Sequence, residues 1–392
     1  MNAICTEDPL MKITPRPEPV MLRGEGSWLW DNRGKRYLDF IQGWAVNALG
    51  HCPRELIETL DCQARTLITP SPALHNRPQL ELARALTAEH FAQAHFANSG
   101  AEANEAAVKL ARRWGQLHRA GAFEVITARG AFHGRTLAMM AASGKAGWDV
   151  MFPPSAPGFV HVPFGNADAV AAAISDRTVA IMVEPIQGEA GVIVPPAGYL
   201  RALRQLADEH GLLLIFDEVQ TGIGRTGYLF YHQHPEVQAL PDIMTLGKGL
   251  GAGVPLSAVL ATQEAACFDY GNQGGTYNGN PLTTAVGLRV VNTVRSPGFL
   301  DEVRARGDYL RTLLEAVAGK AGLGTVEGRG LLQAIHLEQP VAQQIADEAF
   351  ERGLIVNPAQ PRVLRLMPSL RVSTEEIAQM GEILRSATAA LS

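Results

Sequence analysis

Lys248 stands between Gly247 and Gly249, directly after the short apolar run Ile243–Leu246. An amine at the end of a strand, with no bulky neighbour, can attack a carbonyl and hold it as a Schiff base. A phosphate-binding Walker loop is the alternative for a glycine-flanked lysine, but that motif needs serine or threonine where this chain has Gly249. The segment therefore predicts a lysine that binds a carbonyl compound.

A carboxylate follows an apolar run further upstream. Residues 211–216 are typical of a buried parallel strand, and Asp217 comes at its carboxyl end. Ligands of open α/β sheets bind at that edge, where a carboxylate in a low-dielectric site favours a cationic partner. The protonated ring nitrogen of pyridoxal phosphate is such a partner, and the ring then stabilises a carbanion. Lys248 and Asp217 would fit its two ends; a cap or turn residue is the alternative for Asp217.

The segment HFANSGAE, residues 95–102, passes from a short strand into a helix. Ser99 with Glu102 forms the signature of a capping box, which predicts free backbone N–H groups and a positive dipole end here. Gly100 and Ala101 have no side chain that would keep a phosphate from those groups. The segment predicts a phosphate site, with a capped helix that binds nothing as the alternative.

Four further side chains could bind a ring or a carboxylate. Phe132 could stack on a heteroaromatic ring, and Arg135 could bind a carboxylate through two N–H groups. The alternatives are a core position for Phe132 and a solvated surface charge for Arg135. Arg365 lies in an apolar run, where a guanidinium needs a partner or an outward position on an edge strand. Glu189, in a loop after a predicted strand, is a possible partner for Arg365.

The composition excludes several classes of protein. The 34 Lys and Arg against 39 Asp and Glu give a formal net charge of −5, which does not support nucleic-acid binding. The four cysteines lack the spacing of a metal site, so we expect free buried thiols in a reduced protein. No apolar stretch approaches the roughly 18 residues of a membrane span, and Glu7 and Asp8 stand where a signal peptide would be apolar. We therefore expect a cytoplasmic protein.

Periodicity predicts the domain organisation of the 392 residues. A hairpin near residues 26–40 opens the chain. From about residue 50 to 285, helical patterns alternate with short apolar strands, which predicts βαβ units and a mainly parallel sheet. We expect a segment of residues 1–49 that packs with the small domain, a large domain of residues 50–285 and a small C-terminal domain of residues 286–392.

Six segments, in order, resemble the motifs of the class III pyridoxal phosphate aminotransferases: NSGAEA (98–103), FHGRT (132–136), VEPIQGE (183–189), FDEVQ (216–220), LGK (246–248) and GTYNGNP (275–281). The match extends from about Trp28 to Leu370. It implies an α/β architecture, the fold type I of pyridoxal phosphate-dependent transferases, with a large domain and a smaller α/β domain. Within the family the chain is most similar to members that act on N-acetylornithine, especially over residues 37–51.

The resemblance implies a cofactor role for the residues at the matching positions: Ser99, Gly100, Ala101, Phe132, Asp217, Gln220, Lys248 and Thr276. Lys248 would hold the cofactor aldehyde, Asp217 the ring nitrogen, and Gln220 would lie near the ring hydroxyl. Phe132 would stack on the ring, while the start of the helix after residue 99 would hold the phosphate together with Thr276 from the neighbouring subunit. A site shared in this way implies at least a homodimer.

The resemblance also implies how two substrates use one pocket. Arg135 would bind the α-carboxylate of the amino donor, and Arg365 would bind a carboxylate of 2-oxoglutarate. Between these steps Glu189 would neutralise Arg365, and the freed Lys248 would move the proton at the substrate carbon. The reaction implied is transfer of the terminal amino group of N-acetylornithine to 2-oxoglutarate, in arginine biosynthesis.

Two positions leave the donor open. Trp44 stands where ornithine aminotransferases have a tyrosine that helps select free ornithine, and Gly275 stands where many relatives have serine. Succinylornithine, succinyldiaminopimelate, ornithine and 4-aminobutyrate remain as alternative donors. A decarboxylase or aminomutase on the same scaffold and a non-catalytic binding protein are the alternatives of other classes, because a fold does not choose its reaction.

Overall fold

A computed structural model of the protein describes residues 9–390. Cys5, Glu7 and Asp8, which entered the expectations above, lie outside the described residues. The first described elements are three antiparallel strands, β1 (Met21–Glu25), β2 (Trp28–Asp31) and β3 (Arg36–Asp39). The predicted hairpin of β2 and β3 is confirmed, and β1 was not predicted because its sequence MLRGE lacks an apolar alternation.

The short element α1 (Gln42–Ala45) is a left-handed turn. All four residues have positive φ, at 50°, 59°, 64° and 65° in chain order, although only Gly43 is a glycine. Left-handed backbone costs about 1–2 kcal/mol for each residue with a side chain. The Asp39 carboxylate stabilises this turn, because its Oδ1 accepts hydrogen bonds from the N–H groups of Ile41 and Gln42 at 2.8 and 2.9 Å.

The central sheet has seven strands: β4 (Gln93–Ala97), β5 (Glu124–Ala128), β6 (Phe159–Val162), β7 (Thr178–Val183), β8 (Leu213–Asp217), β9 (Ile243–Leu246) and β10 (Ser257–Ala261). Their order is β4-β10-β9-β8-β7-β5-β6. The five strands from β9 to β6 are parallel, and β10 is antiparallel to both of its neighbours. The expected mainly parallel sheet is therefore confirmed.

Seven helices lie between these strands and before them: α2 (Arg54–Thr66), α3 (Arg77–Thr87), α4 (Gly100–His118), α5 (Leu137–Ala142), α6 (Trp148–Met151), α7 (Ala167–Ala173) and α8 (Tyr199–His210). Every residue of β7, β8 and β9 is buried, as expected for parallel strands covered on both faces. The sheet edge where these strands end is therefore the accessible place for polar side chains.

The C-terminal part contains longer helices and a second sheet. Its elements are α9 (Pro281–Val294), α10 (Phe299–Ala321), β11 (Gly324–Arg329), β12 (Leu332–Leu337), α11 (Ala342–Glu351), β13 (Leu354–Ile355), β14 (Asn357–Gln360), β15 (Val363–Leu366) and α12 (Thr374–Ala389). Strands β11, β12, β15 and β14 form an antiparallel sheet in that order. Strand β13 instead pairs in parallel with β3, so the N-terminal sheet is completed by the C-terminal part.

The cysteines differ from the expectation of buried thiols. Cys52, Cys62 and Cys267 are free, but Cys52 and Cys62 are exposed and only Cys267 is half-buried. Their small side chains lie where the chain meets solvent, so burial was the wrong inference from their apolar character. Within residues 9–390, no helix combines the length and apolar character that crossing a bilayer requires.

Glu376 joins the N-terminal sheet to α12. Its carboxylate accepts hydrogen bonds from the Ser27 hydroxyl at 2.8 Å and from the Trp28 indole N–H at 2.9 Å. It also accepts from the N–H of Ser373, whose hydroxyl accepts from the N–H of Glu376 in return, which completes the capping box of the helix. One carboxylate thus stabilises a helix start and a contact between distant parts of the chain.

We predict that Glu376→Ala lowers the free energy of unfolding by about 2 kcal/mol, because three charge-assisted hydrogen bonds are lost and polar groups of Ser27 and Trp28 lose their partner. Denaturant unfolding followed by circular dichroism measures the change. Glu382→Ala removes an exposed carboxylate from the same helix and is the matched control. Equal effects of the two substitutions would contradict this role of Glu376.

Candidate active site

Asp217 lies at the carboxyl end of β8 and is almost fully buried, at 3% exposure. Its Oδ2 accepts hydrogen bonds from the Asn104 amide at 2.7 Å and from Nδ1 of His133 at 2.8 Å. Its Oδ1 accepts from the N–H of Val219 at 3.0 Å and, at 3.4 Å, from the hydroxyl of Thr245. Hydrogen-bond donors on several elements therefore hold this carboxylate in one orientation and stabilise its charged form.

Lys248 follows β9 by two residues and begins a short 3₁₀ turn. Its φ of 41° is in the left-handed region, which is strained for a residue with a side chain. Burial lowers the pKa of the Lys248 amine, while the carboxylates of Glu189, Glu184 and Asp217 act in the opposite direction. A depressed pKa increases the fraction of neutral amine, the form that attacks carbonyl carbon.

The start of α4 lies against this turn. A Cβ on Gly100 would come within 2.8 Å of Val219, and a Cβ on Gly247 would meet the same side chain at 3.2 Å, so both positions need glycine for close approach. The Ser99 hydroxyl accepts from the N–H of Glu102, as predicted. The Glu102 carboxylate accepts from the N–H of Asn98 rather than from that of Ser99, so the reciprocal half of the predicted capping box is shifted by one residue.

Two backbone N–H groups at the start of α4 are available to an anion. The N–H groups of Gly100 and Ala101 are the first two of the helix, where the chain of helical hydrogen bonds gives them no carbonyl partner. The positive end of the helix dipole adds to these groups, and the 19 residues of α4 make it a full-strength dipole. The start of α4 can therefore hold a phosphate beside Lys248 and Asp217.

An aromatic wall borders the site. The ring of Phe132 meets that of Trp148 edge-to-face, with centroids 6.1 Å apart. The guanidinium of Arg135 lies 5.7 and 4.9 Å from the centroids of these two rings, and the ammonium of Lys145 lies 4.8 and 5.1 Å from them. Arg135 is exposed and Lys145 is half-buried. The exposed Arg135 can therefore meet a carboxylate entering from solvent.

Arg365 and Glu189 form an ion pair. The fully buried guanidinium donates to Oε1 of Glu189 at 2.8 Å, to the carbonyl of Gly188 at 2.8 Å and to Oδ1 of Asn357 at 3.0 Å. Strand β15 lies inside its sheet, between β12 and β14, so the outward edge position considered for Arg365 is excluded. Burial alone would raise the pKa of Glu189, but Arg365, with Lys248 and Lys145, holds that pKa below its usual value.

Trp44 lies above this ion pair. The centroid of its ring is 5.9 Å from the guanidinium carbon of Arg365, and the side chain is 47% exposed. The left-handed turn α1 gives the indole this position, because a right-handed continuation would direct the side chain elsewhere. Backbone strain at such a turn is typical of functional sites, where the surroundings hold it in place.

Glu184 is the first residue after β7 and is buried beside Asp217. Its Oε1 accepts from the N–H of Phe132 at 2.8 Å, and its Oε2 accepts from the N–H of Gly188 at 3.2 Å. Burial raises the pKa of Glu184 to about 7, and the neighbouring Asp217 adds to this effect. One carboxyl group therefore fixes the backbone of the aromatic wall and that of the loop before Glu189.

The residues present fit pyridoxal phosphate. The amide nitrogen of Gln220 is buried and, among the residues that the structure describes, has no hydrogen-bond partner, and a buried polar group of this kind calls for a ligand. The amide oxygen of Gln220 accepts from Arg365 at 3.4 Å, which directs the nitrogen away from the ion pair. One edge of the sheet brings together the groups that such a cofactor needs: the buried carboxylate of Asp217, the half-buried amine of Lys248, the ring of Phe132 and the free N–H groups at the start of α4.

Two predicted site residues are not enclosed by this chain. Gly275 and Thr276 lie in an exposed loop before α9. The loop does approach the phosphate site, since Asn278 accepts a hydrogen bond at 3.0 Å from the side chain of Asn98. Among the other predicted residues, Ser99, Trp44 and Arg135 are exposed at the rim of the site, and the rest are buried or half-buried.

Sequence reasoning missed the residues that hold Asp217 and Phe132 in place, namely Asn104, His133, Thr245 and Glu184. Thr245 could have been found, because it is directly opposite Asp217 in the register of β8 and β9. Asn104 gives a weaker indication as a polar residue on the apolar face of α4. His133 and Glu184 adjoin predicted residues, but nothing local reveals their partners.

Comparisons with known proteins agree with this geometry. The family model for aminotransferase class-III matches residues 14–388. The acetylornithine aminotransferase 2 of Bordetella bronchiseptica is 52% identical over 386 residues, which cover 97% of this chain and 97% of that protein. The acetylornithine aminotransferase of Ralstonia nicotianae is also 52% identical and is matched over 96% of each chain.

Solved structures give the same result for the fold. The N-acetylornithine aminotransferase from Stenotrophomonas maltophilia superimposes with a TM-score of 0.84 at 34% identity, over 96% of this chain and 97% of that one. The ornithine aminotransferase from Toxoplasma gondii gives a TM-score of 0.92 at 31% identity, over 97% and 93%. A second structure of the Toxoplasma enzyme has pyridoxal phosphate at partial occupancy in its active site. The expected fold class is confirmed.

We predict that Glu184→Gln removes a pH dependence from the stability of the cofactor-free protein. Since the pKa of Glu184 is raised from 4.5 to about 7, the folded state keeps a proton that the unfolded state has lost between these pH values. The unmodified protein therefore loses up to about 3 kcal/mol of stability, relative to the variant, as the pH rises through this window.

Urea unfolding of both proteins at about pH 5 and about pH 8 measures this difference. The variant is the control for all other titrating groups, because these are common to the two proteins. A stability difference that is the same at both pH values would show that Glu184 does not hold the proton.

Proposed function

The chain belongs to the class III aminotransferases and is a pyridoxal phosphate-dependent transaminase, and from this premise we propose that it transfers the terminal amino group of N-acetylornithine to 2-oxoglutarate. The observation that carries the proposal is the ion pair of Arg365 and Glu189 at 2.8 Å. The relatives that act on acetylornithine, by their names, support the choice of donor.

The ion pair suits two substrates that differ in charge beside the reacting carbon. The reacting carbon of 2-oxoglutarate carries a carboxylate, which pairs with Arg365 when Glu189 moves aside. The reacting carbon of N-acetylornithine carries only hydrogen and the amine, so a bare guanidinium there would be a buried charge without a partner. Glu189 supplies that partner during the donor half-reaction. The single carboxylate of N-acetylornithine, and the carboxylate of 2-oxoglutarate that lies away from the reacting carbon, bind Arg135 on the aromatic wall.

When bound, pyridoxal phosphate supplies an aldehyde that takes up the amino group and a ring that withdraws electrons from the substrate carbon. Lys248 would hold the cofactor through its aldehyde between turnovers and, once released, would take the proton from the substrate carbon as a general base and give it back as a general acid. Asp217 keeps the proton on the ring nitrogen, supported by Asn104 and His133. Burial lowers the pKa of the lysine amine, which increases the fraction of the neutral form that can act as a base.

The remaining cofactor contacts follow from the positions described above. The N–H groups of Gly100 and Ala101, with the Ser99 hydroxyl, hold the phosphate. Phe132 would stack on the ring face, and the amide nitrogen of Gln220, which has no partner among the described residues, would donate to the ring hydroxyl. These contacts would hold the cofactor in one orientation within reach of Lys248.

We further propose a cytoplasmic homodimer in which Thr276 completes the phosphate site of the partner subunit. The apolar side chains of Leu67, Ile68, Leu74 and Tyr277 are 43%, 52%, 60% and 63% exposed. They lie on two adjoining loops, since the side chain of Asn76 donates to the carbonyl of residue 279 at 2.9 Å. An exposed apolar patch next to a half-built site supports a second copy of this chain as its cover.

The division into domains remains a proposal with the boundaries given above. Residues 50–285 form the large domain and residues 286–392 the small one, to which residues 1–49 attach. The parallel pairing of Leu38 and Asp39 with Leu354 and Ile355 supports this attachment.

We predict that the purified enzyme uses N-acetylornithine at least about tenfold more efficiently, in kcat/KM, than ornithine or 4-aminobutyrate, with 2-oxoglutarate as acceptor. Succinylornithine and succinyldiaminopimelate complete the donor panel, and coupled detection of glutamate measures turnover. Lys248→Ala is the control: it should lose the visible absorbance of the covalently held cofactor and at least about 10³-fold in kcat.

Each outcome of this experiment is informative. A preference for 4-aminobutyrate or free ornithine would make the donor assignment wrong. Product formation that does not need an added oxo acid would indicate a decarboxylase or aminomutase, and binding without turnover would indicate a binding protein. Activity retained by Lys248→Ala would contradict the cofactor assignment.

We also predict that Thr276→Ala weakens pyridoxal phosphate binding about tenfold, because one charge-assisted hydrogen bond to the phosphate is lost. Mixing this variant with Lys248→Ala under conditions that exchange subunits should restore activity at low cofactor concentration. The mixed dimer then contains one site with both native residues. If Thr276 served its own chain, the mixture would stay inactive at that concentration.

A further inference from the structure

The ion pair of Glu189 and Arg365 raises one question, which rests on the proposed function. When a carboxylate of 2-oxoglutarate takes Arg365, the side chain of Glu189 must leave its 2.8 Å ion pair. A carboxylate that loses its cation in a half-buried place is strongly disfavoured. The displaced group therefore needs a second partner within reach of its side chain.

The backbone around Glu189 is fixed, so only the side chain can move. Glu184 accepts from the N–H of Gly188 at 3.2 Å, and the Gln360 amide donates to the carbonyl of Glu189 at 3.1 Å. The N–H groups of Gly191 and Val192 both donate to the carbonyl of Gly188. The new partner must consequently lie close to the present position of the Glu189 carboxylate.

Lys145 is in such a place. It lines a cavity of about 740 Å³ together with Ala190, which follows Glu189, and Gln360, which binds the Glu189 carbonyl. Glu189 is the foremost of the charged groups that act on the half-buried Lys145 ammonium, and Lys145 also acts on Glu189. Among residues 9–390 the ammonium has no carboxylate partner, and its close contacts are the rings of the aromatic wall.

The loop between α5 and α6 holds Lys145 against the cavity. Gly144 has a φ of 58°, and a Cβ there would come within 2.6 Å of the His161 ring, so only glycine allows this approach. The ring of His161 is itself fixed by a hydrogen bond at 2.8 Å to the carbonyl of Ala141. This tight turn therefore fixes the backbone of Lys145 at the cavity wall.

We propose that Lys145 receives the carboxylate of Glu189 while 2-oxoglutarate occupies Arg365. Glu189 then alternates between two cations, one for each half-reaction, and is paired in both. Arg135 is less suited to this role, because it is exposed and is itself the partner of the other substrate carboxylate. Lys145 is a positioning residue in this scheme, since it acts on the substrate through Glu189.

Binding of glutarate, an unreactive dicarboxylate that resembles 2-oxoglutarate, tests the proposal without turnover. Calorimetric titration of the holoenzyme should show about tenfold weaker binding for Lys145→Met, as one charge-assisted hydrogen bond is lost. Lys145→Arg should restore the affinity to within about twofold, because the charge is kept. Arg129→Met, which removes a different cation from the same cavity wall, is the matched control and should leave the affinity unchanged.

A double-mutant cycle with Glu189→Gln distinguishes the mechanisms. In the Glu189→Gln background, Lys145→Met should have no further effect on glutarate binding. A tenfold loss that persists in this background would show that Lys145 binds the dicarboxylate directly, and no loss in the parent would show that Glu189 needs no such partner. Either result overturns the proposal.

The donor half-reaction gives an independent readout. Single-turnover spectra with N-acetylornithine should be the same for Lys145→Met and the parent, since Glu189 then remains on Arg365. Impairment of this step would also contradict the scheme. A parent enzyme that does not react with N-acetylornithine would refute the proposed function, whereas the glutarate titrations would still test Lys145.

Discussion

The register of three parallel strands is the constraint on which the site depends. In β8 and β9, Asp217 is directly opposite Thr245, and β7 ends beside them. Glu184 and Lys248 follow two of these strands and therefore lie close together at the same edge of the central sheet. A slip of one residue would turn Asp217 to the opposite face of the sheet and bring the neighbouring Phe216 to its place. Since burial of the apolar side chains fixes the register, packing of the core also fixes the chemistry.

Three carboxyl groups near the lysine are accommodated in three different ways. Asp217 receives hydrogen bonds from several donors, Glu184 has a pKa raised to about 7, and Glu189 pairs with Arg365. These environments suit the three roles that we propose: Asp217 binds the cationic ring nitrogen, Glu184 fixes the backbone, and Glu189 leaves Arg365 when 2-oxoglutarate binds. An additional carboxylate without such compensation would raise the pKa of Lys248 and oppose its action as a base. The site is thus balanced so that a neutral amine stays accessible at Lys248.

Much of this arrangement could be predicted from the sequence, because apolar runs and a helix cap are local. The strand that ends at Asp217 and the strand that precedes Lys248 could be predicted from such runs, and the start of α4 from Ser99. Contacts between distant residues could not be found in this way. The loop position of Glu189 makes it only a possible partner of Arg365, 176 positions away, because their pairing depends on how β15 packs against the loop after β7. The turn at residues 42–45 was missed as well, since three of its four residues are of types that rarely adopt positive φ.

The charges of the cavity wall favour the acylated donor that we propose. The guanidinium of Arg135 lies on the rings of Phe132 and Trp148, so the wall presents a cation to the substrate. Free ornithine would bring its α-ammonium to this wall along with its carboxylate, and repulsion would offset part of the attraction. Acylation removes the positive charge and leaves the carboxylate.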